Sequence, residues 1–200
     1  MIMKRLIFFL LAAGLLTAAT PEKNGYEVGD TATDFKLKNV DGKKLALADL
    51  KDAKGYIVIF DCNTCPISQA YNSRIIALNK KYASQGYPVI TINPNDPGVS
   101  PGDSFDKMVA YAKKKDYTFP YLVDETQEVT KAFGATNTPH VYILSKELKV
   151  LYIGAIDNST DENAVTKKYA ESALDELLGG KAVATPKTKA VGCTIKWKNS

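Results

Sequence analysis

The sequence predicts an α/β fold, a central β-sheet flanked by helices and entered through an N-terminal β-hairpin. Three observations carry that prediction. Two apolar, β-branched runs, Tyr56–Phe60 and Pro88–Ile92, are separated by a segment of helical periodicity. An Asp41-Gly42 turn joins two short alternating stretches near the start, and two further apolar runs flank a Lys146-Glu147 turn late in the chain.

Asp34-Phe35-Lys36-Leu37-Lys38 and Lys44-Leu45-Ala46-Leu47 are the hairpin strands, and Ala48–Leu50 adds one helical turn. Tyr56–Phe60 is apolar throughout, as a strand covered on both faces of a sheet must be. From Pro66 the pattern turns helical: Ile67, Ala70, Tyr71, Ile75 and Leu78 recur at three- and four-residue steps, and Lys80, Lys81 and Gly86 mark the end. The missing N–H of Pro66 costs nothing in a first helical turn. After the Pro88–Ile92 strand comes a loop rich in turn formers, residues 93–102. It reads equally as a surface connection or as the rim of a site at the end of a central strand.

Asp103 or Ser104 caps the next helix, which runs through Phe105, Met108, Val109 and Ala112 to three lysines at 113–115. Phe119–Val123 contains Pro120 and so reads as an edge or irregular strand. Gln127–Phe133 is a short helix closed by Gly134. His140–Leu144 and Val150–Gly154 pair as an antiparallel hairpin. Asp161–Leu178 is an amphipathic helix ended by Gly179-Gly180, and residues 181–200 show no periodicity.

Chemistry concentrates in Asp61-Cys62-Asn63-Thr64-Cys65-Pro66, which joins the Tyr56–Phe60 strand to the helix at Pro66. Unpaired N–H groups and the helix dipole favour a thiolate at a helix N-terminus. Cys62 is therefore the expected nucleophile, its pKa lowered, and Cys65, one turn on, the expected resolving thiol. A zinc half-site lacks a second Cys-x-x-Cys or a histidine pair, so no metal or other cofactor is called for.

Two hundred residues that are 45% apolar and 24% charged suit one globular domain. Residues 1–19 differ. Lys4 and Arg5 give a basic start, Leu6–Leu16 is an apolar run too short to span a bilayer, and Thr17-Ala18-Ala19 supplies small residues for cleavage. The organisation expected is a signal peptide at 1–19, a folded domain at 20–180 and a basic tail at 181–200 carrying Cys193. The protein is then exported, periplasmic or secreted, with no stable membrane insertion after cleavage. Without Lys4 and Arg5 the formal balance is 24 basic against 22 acidic residues, and the last twenty residues hold five lysines and no acid. The body is slightly acidic, which gives no electrostatic case for nucleic acid. Cys193 leaves an odd thiol count, an oddity in an oxidising compartment. Its neighbours Val191, Ile195 and Trp197 are apolar, so this stretch is expected to dock on the body, with Cys193 either a small covering residue or an alternative resolving thiol.

The ordered set resembles the thioredoxin superfamily, redoxin branch, over roughly residues 30 to 180: the Asp-Phe-Lys-Leu entry, strand then Cys-x-x-Cys then helix, and Thr138-Pro139 before the closing hairpin. It is most similar to the peroxiredoxin-like group with a Cys-Asn-x-Cys-Pro site. Ile92–Asp96, Asp124-Glu125, Lys131–Ala135 and Gly192–Lys196 match that group as well. The resemblance implies a three-layer fold with a mixed sheet, catalytic Cys62 and Cys65, and supporting roles for Asn63, Thr64, Pro66, Thr138 and Pro139. It also implies a cis Pro139 facing the cysteines and an exposed Thr138 edge on which an extended substrate can add as a strand. There are departures. Asp61 stands where thioredoxins carry tryptophan, Tyr56 where they carry a buried carboxylate, and Gly55 and Ile59 where peroxiredoxins carry Pro and Thr or Ser before the reactive cysteine. Asp61 reads as a solvated strand-end carboxylate, and His140 as a packed or exposed strand residue, not an imidazolium tuning the thiolate.

The function expected is thiol–disulfide oxidoreductase, with client protein disulfides or thiols and a redox partner protein as partners. The alternatives are a thiol-dependent peroxidase, with Cys62 passing through a sulfenic acid, and a Cu(I)-binding assembly protein using both cysteines and His140.

Overall fold

The computed structural model describes residues 25–199, so the export segment expected at 1–19 lies outside the described residues. The hairpin forms as β1 (Lys36–Asn39) and β2 (Lys44–Ala46), with Leu37 opposite Leu45 across the Asp41-Gly42 turn. The central strand is β3 (Gly55–Phe60). Ile57 and Ile59 face one apolar layer and Val58 and Phe60 the other, which is why the run needs no polar alternation. A parallel neighbour, β4 (Val89–Asn93), follows the 17-residue helix α1 (Pro66–Tyr82).

After α2 (Phe105–Lys114) comes β5 (Tyr121–Val123), parallel to β4. Here the sequence reading needs correction, because β5 also pairs with β1 and so is interior. Pro120 stands just outside the strand, where its missing N–H breaks no ladder bond and its carbonyl accepts from Thr91 N–H at 3.0 Å. The chain continues through α3 (Glu128–Phe133), a two-residue strand β6 (Asn137–Thr138), and the hairpin β7 (His140–Ser145) and β8 (Val150–Gly154). The seven-stranded mixed sheet has the order β2-β1-β5-β4-β3-β7-β8. Residues of α1 and α4 (Tyr169–Leu178) pack against one face, including Tyr71, Ile75, Leu78, Ala170 and Leu174. Phe35, Leu47, Phe133 and Ala135 cover the other.

The last helix begins eight residues later than the Asp161 start expected. Asn158 explains the difference: its Oδ1 accepts the N–H groups of Thr166 and Lys167 at 3.0 and 2.8 Å, and its own N–H donates to the Lys167 carbonyl. These local bonds hold the segment as a loop and compete with helix formation. Upstream, Arg74 donates to the Asp157 carboxylate at 2.7 Å and to the carbonyls of Ser159 and Thr160, fixing that loop against α1.

The tail docks, as its apolar residues suggested. Ile153 N–H donates to the Pro186 carbonyl and Thr188 N–H to the Ile153 carbonyl, and the final strand β9 (Cys193–Thr194) pairs antiparallel with β6. Ile195 is buried in the same apolar layer as Phe60 and Phe133.

Candidate active site

The bend between β3 and α1 carries Asp61 to Cys65. Pro66 is the first residue of α1, so the residue capping that helix is Cys65 and not Cys62; its sulfur accepts from the Ser68 N–H at 3.5 Å. Cys62 sits before the helix, 1% exposed, its sulfur 3.1 Å from the Thr138 hydroxyl and 3.9 Å from that of Ser68. The expectation of a lowered Cys62 pKa therefore fails. Burial pushes this thiol up and the Asp61 charge adds to the effect, against partial relief from the Thr138 hydroxyl and the Cys65 N–H.

Asp61 is no solvated carboxylate. It is 1% exposed and its Oδ1 has no hydrogen-bond partner among the described residues. Burial pushes its pKa up to about 6, and the negative charge of Asp103 works in the same direction against bonds from Ser68 and the Cys62 N–H. His140 is packed: its Nδ1 accepts from Thr136 N–H at 3.4 Å, and burial drives its pKa down to about 4, so the ring is neutral at pH 7.

The two residues between the cysteines are held by a carboxylate that sequence reasoning assigned to a helix cap. Ser104 occupies the N-cap of α2, and Asp103 turns inward. Its oxygens accept from Asn63 N–H (2.8 Å), Thr64 Oγ1 (2.7 Å), Ser100 Oγ (2.6 Å), Asn95 Nδ2 (2.9 Å) and Asn93 Nδ2 (3.2 Å). Burial alone would raise its pKa, but the bonds from Ser100, Thr64, Asn95 and Asn63 outweigh that and hold it below the usual carboxylate range. Asn63 also donates to the Gly102 carbonyl and accepts from the Tyr121 hydroxyl at 2.9 Å. Loop 93–102 is thus the rim of the site. Asp103, Ser100, Tyr121 and Ser68 were missed in sequence because none belongs to the Cys-x-x-Cys run; the density of Asn, Asp and Ser after β4 was the only signal.

Thr138-Pro139 is cis, as the resemblance implied, and it faces the cysteines. Two expectations give way beside it. The disulfide joins Cys65 to Cys193, a sequence separation of 128, leaving Cys62 free, whereas the sequence reading makes Cys65 the partner of Cys62; of its two readings of Cys193, the purely covering one falls. The Thr138 edge is also not open, because Cys193 lies opposite Thr138 in the β6–β9 pair. Thr138 thereby touches all three cysteines. Its hydroxyl meets Cys62, its carbonyl oxygen is 3.4 Å from the Cys65 sulfur, and its backbone pairs with Cys193.

Residues 28–153 match the model of the AhpC/TSA family. The chain belongs to that family. Its fold is also that of an uncharacterized conserved protein from Geobacillus kaustophilus, 39% identical with a TM-score of 0.82, the match covering 88% of this chain and 95% of that one. Thiol-disulfide oxidoreductase ResA of Geobacillus thermodenitrificans is 26% identical over 157 residues, 75% of this chain and 84% of its own. Peroxidoxin BcpB from Mycobacterium tuberculosis is 20% identical with a TM-score of 0.60, covering 76% of this chain and 96% of that one, a likeness of fold. The family and the named relatives place the chain among oxidoreductases, within the thioredoxin-like α/β fold.

Proposed function

We propose that this AhpC/TSA protein is an exported thiol–disulfide oxidoreductase acting on protein disulfides, with Cys62 as nucleophile and Cys65 as resolving thiol. The observation that carries the reading is the convergence of three cysteines on one residue, Thr138, the Cys62 and Cys65 sulfurs against its side chain and carbonyl and Cys193 on its backbone, with Cys65 and Cys193 already joined. In the working cycle the Cys62 thiolate attacks one sulfur of a client disulfide, the other client sulfur leaves as a thiolate, and a mixed disulfide forms on Cys62. The Cys65 thiolate then attacks the Cys62 sulfur, releasing the reduced client and leaving Cys62–Cys65 oxidised until a dithiol partner reduces it. The cysteine that attacks second is the one whose sulfur caps α1, where the helix N-terminus favours the thiolate. Asn63, Thr64 and Pro66 fix the bend between the sulfurs, and Thr138 and Pro139 wall it. Asp61, ionised above about pH 6, next to Cys62 in the chain and electrostatically coupled to it, is a buried carboxylate able to take its proton. Export rests on the basic start and short apolar run of residues 1–19.

One observation favours a second reading. Cys62 is 1% exposed in this form, a site that a small hydroperoxide reaches more readily than a protein disulfide does. Reduction of insulin disulfides by the mature protein with a dithiol reductant, run beside peroxide consumption, decides between them. Insulin reduction that depends on Cys62 supports the first reading, and peroxide turnover without insulin reduction replaces it with the second. For the copper-binding alternative, no three His, Cys, Asp or Glu side chains among the described residues are grouped to hold a metal.

A further inference from the structure

The strand edge beside Cys62 is filled by the chain's own tail, and the fit is detailed. Asn137 Nδ2 donates to the Gly192 carbonyl at 2.9 Å, Cys193 and Thr194 pair with Thr138 and Asn137, and Ile195 N–H donates to the Thr136 carbonyl. Beyond them Lys196 N–H donates to Asn95 Oδ1, and the Lys196 carbonyl accepts from the Asp96 N–H and from Gln127 Nε2, all at 2.9 Å. Two positions are restrictive. A β carbon on Gly192 would run into the Thr138 carbonyl, and Ile195 is 4% exposed among apolar side chains. Thr194, by contrast, faces solvent.

We propose that residues 192–196 are a built-in substrate: an extended Gly-Cys-Thr-Ile-Lys strand that occupies the client edge and gives way when Cys62 takes Cys65 from Cys193. The inference rests on the oxidoreductase reading and adds the substrate class to it. The tail is held through Cys65 whereas a client is attacked by Cys62, so what the two share is the Thr138 edge: clients present an extended segment with a small residue before the cysteine and an aliphatic residue two places after it, and the position between is unrestricted. Displacement is a disulfide exchange without net oxidation. The Cys62 thiol gives its proton to Asp61 or water, and its sulfur attacks the Cys65 sulfur. The Cys62–Cys65 bond forms as the Cys65–Cys193 bond breaks, and Cys193 leaves as a thiolate that takes up a proton from solvent. Reduction of Cys62–Cys65 by the dithiol partner then leaves both thiols free and the edge clear. Strand addition at this edge supplies main-chain hydrogen bonds for affinity, and the two restrictive positions supply selectivity.

The test uses the full mature chain, with a dithiol reductant, on two disulfide-linked peptide dimers, one built on Val-Gly-Cys-Thr-Ile-Lys and one on Val-Phe-Cys-Thr-Asp-Lys, with insulin alongside. The first dimer should be reduced at least about tenfold faster, a ratio of the size that one good packing position supplies. Insulin reduced but both dimers turned over equally overturns the built-in substrate and leaves the oxidoreductase reading standing. Insulin and both dimers untouched overturns the oxidoreductase reading and the client pattern with it. Gly192→Ala in the same chain provides a second reading that needs no turnover: amide exchange over residues 193–196 should rise and the disulfide population should shift from Cys65–Cys193 toward Cys62–Cys65. Unchanged exchange and unchanged pairing in that variant would also remove the proposal.

Discussion

Replacing Asp61 with Asn should change how the stability of this protein depends on pH. A carboxyl whose pKa is 3.8 in an open chain and about 6 in the fold binds its proton more tightly when folded. Below pH 3.8 both states are protonated and the group is neutral to stability. Between 3.8 and about 6 the unfolded chain ionises first, so stability falls as pH rises, and the loss is complete above the folded value. At about 1.4 kcal/mol per pH unit, the difference between 3.8 and about 6 amounts to about 3 kcal/mol. The Asn variant lacks this term. Whatever fixed offset the amide introduces at the unpartnered Oδ1 position, wild type should lose about 2 kcal/mol of this relative to the variant between pH 4 and pH 7, the rest having gone below pH 4 where the unfolded carboxyl is already half ionised. Urea unfolding of both proteins at those two pH values, without reductant so that Cys65–Cys193 stays closed, measures the difference directly. An offset between the two proteins that does not move with pH would refute the reasoning, because it would mean that Asp61 titrates alike folded and unfolded.

Asp103→Asn should act with the opposite sign. The folded pKa of Asp103 is lowered, so its stabilisation is present above the unfolded value and lost as pH falls through the folded one; at pH 7 the variant should be less stable by about 2–4 kcal/mol, measured in the same unfolding experiment. Cys62→Ser should abolish insulin reduction, whereas Cys65→Ser combined with Cys193→Ser should accumulate mixed disulfides on Cys62 that non-reducing gels and mass mapping detect. Tyr121→Phe removes the hydroxyl that donates to Asn63 and accepts from Asn93, and should cost about 1–2 kcal/mol in urea unfolding, since Asn63 and Asn93 keep their other bonds. Exported material should begin near Thr20, which N-terminal sequencing checks; a chain that still starts at Met1 would end the signal-peptide reading.

The sequence by itself determined the central strands, the hairpin and α1, because each rests on local information. A continuous apolar run, an Asp-Gly turn, and a three- and four-residue apolar step closed by lysines are forced by burial on two faces, by turn geometry and by helix periodicity. It also singled out Cys62, Cys65 and Cys193, since thiols and their spacing are visible without a fold, whereas Thr138 and Pro139 were marked only by the family resemblance. Tertiary structure decided what these residues experience. The pKa of Cys62 depends on its depth beneath Thr138 and its nearness to Asp61, and the helix dipole that sequence spacing gave to Cys62 belongs to Cys65, the residue that caps α1. Asp103 reads as a cap when seen only beside Phe105, and becomes the support of the Asn63-Thr64 bend once β4 and its loop bring Asn93, Asn95 and Ser100 around it. The partner of Cys65 is the clearest case. Loop closure favours the cysteine three residues away over one 128 residues away, but that entropy grows only with the logarithm of loop length, and a tail already docked by Gly192, Ile195 and Lys196 has met most of it before the sulfurs meet.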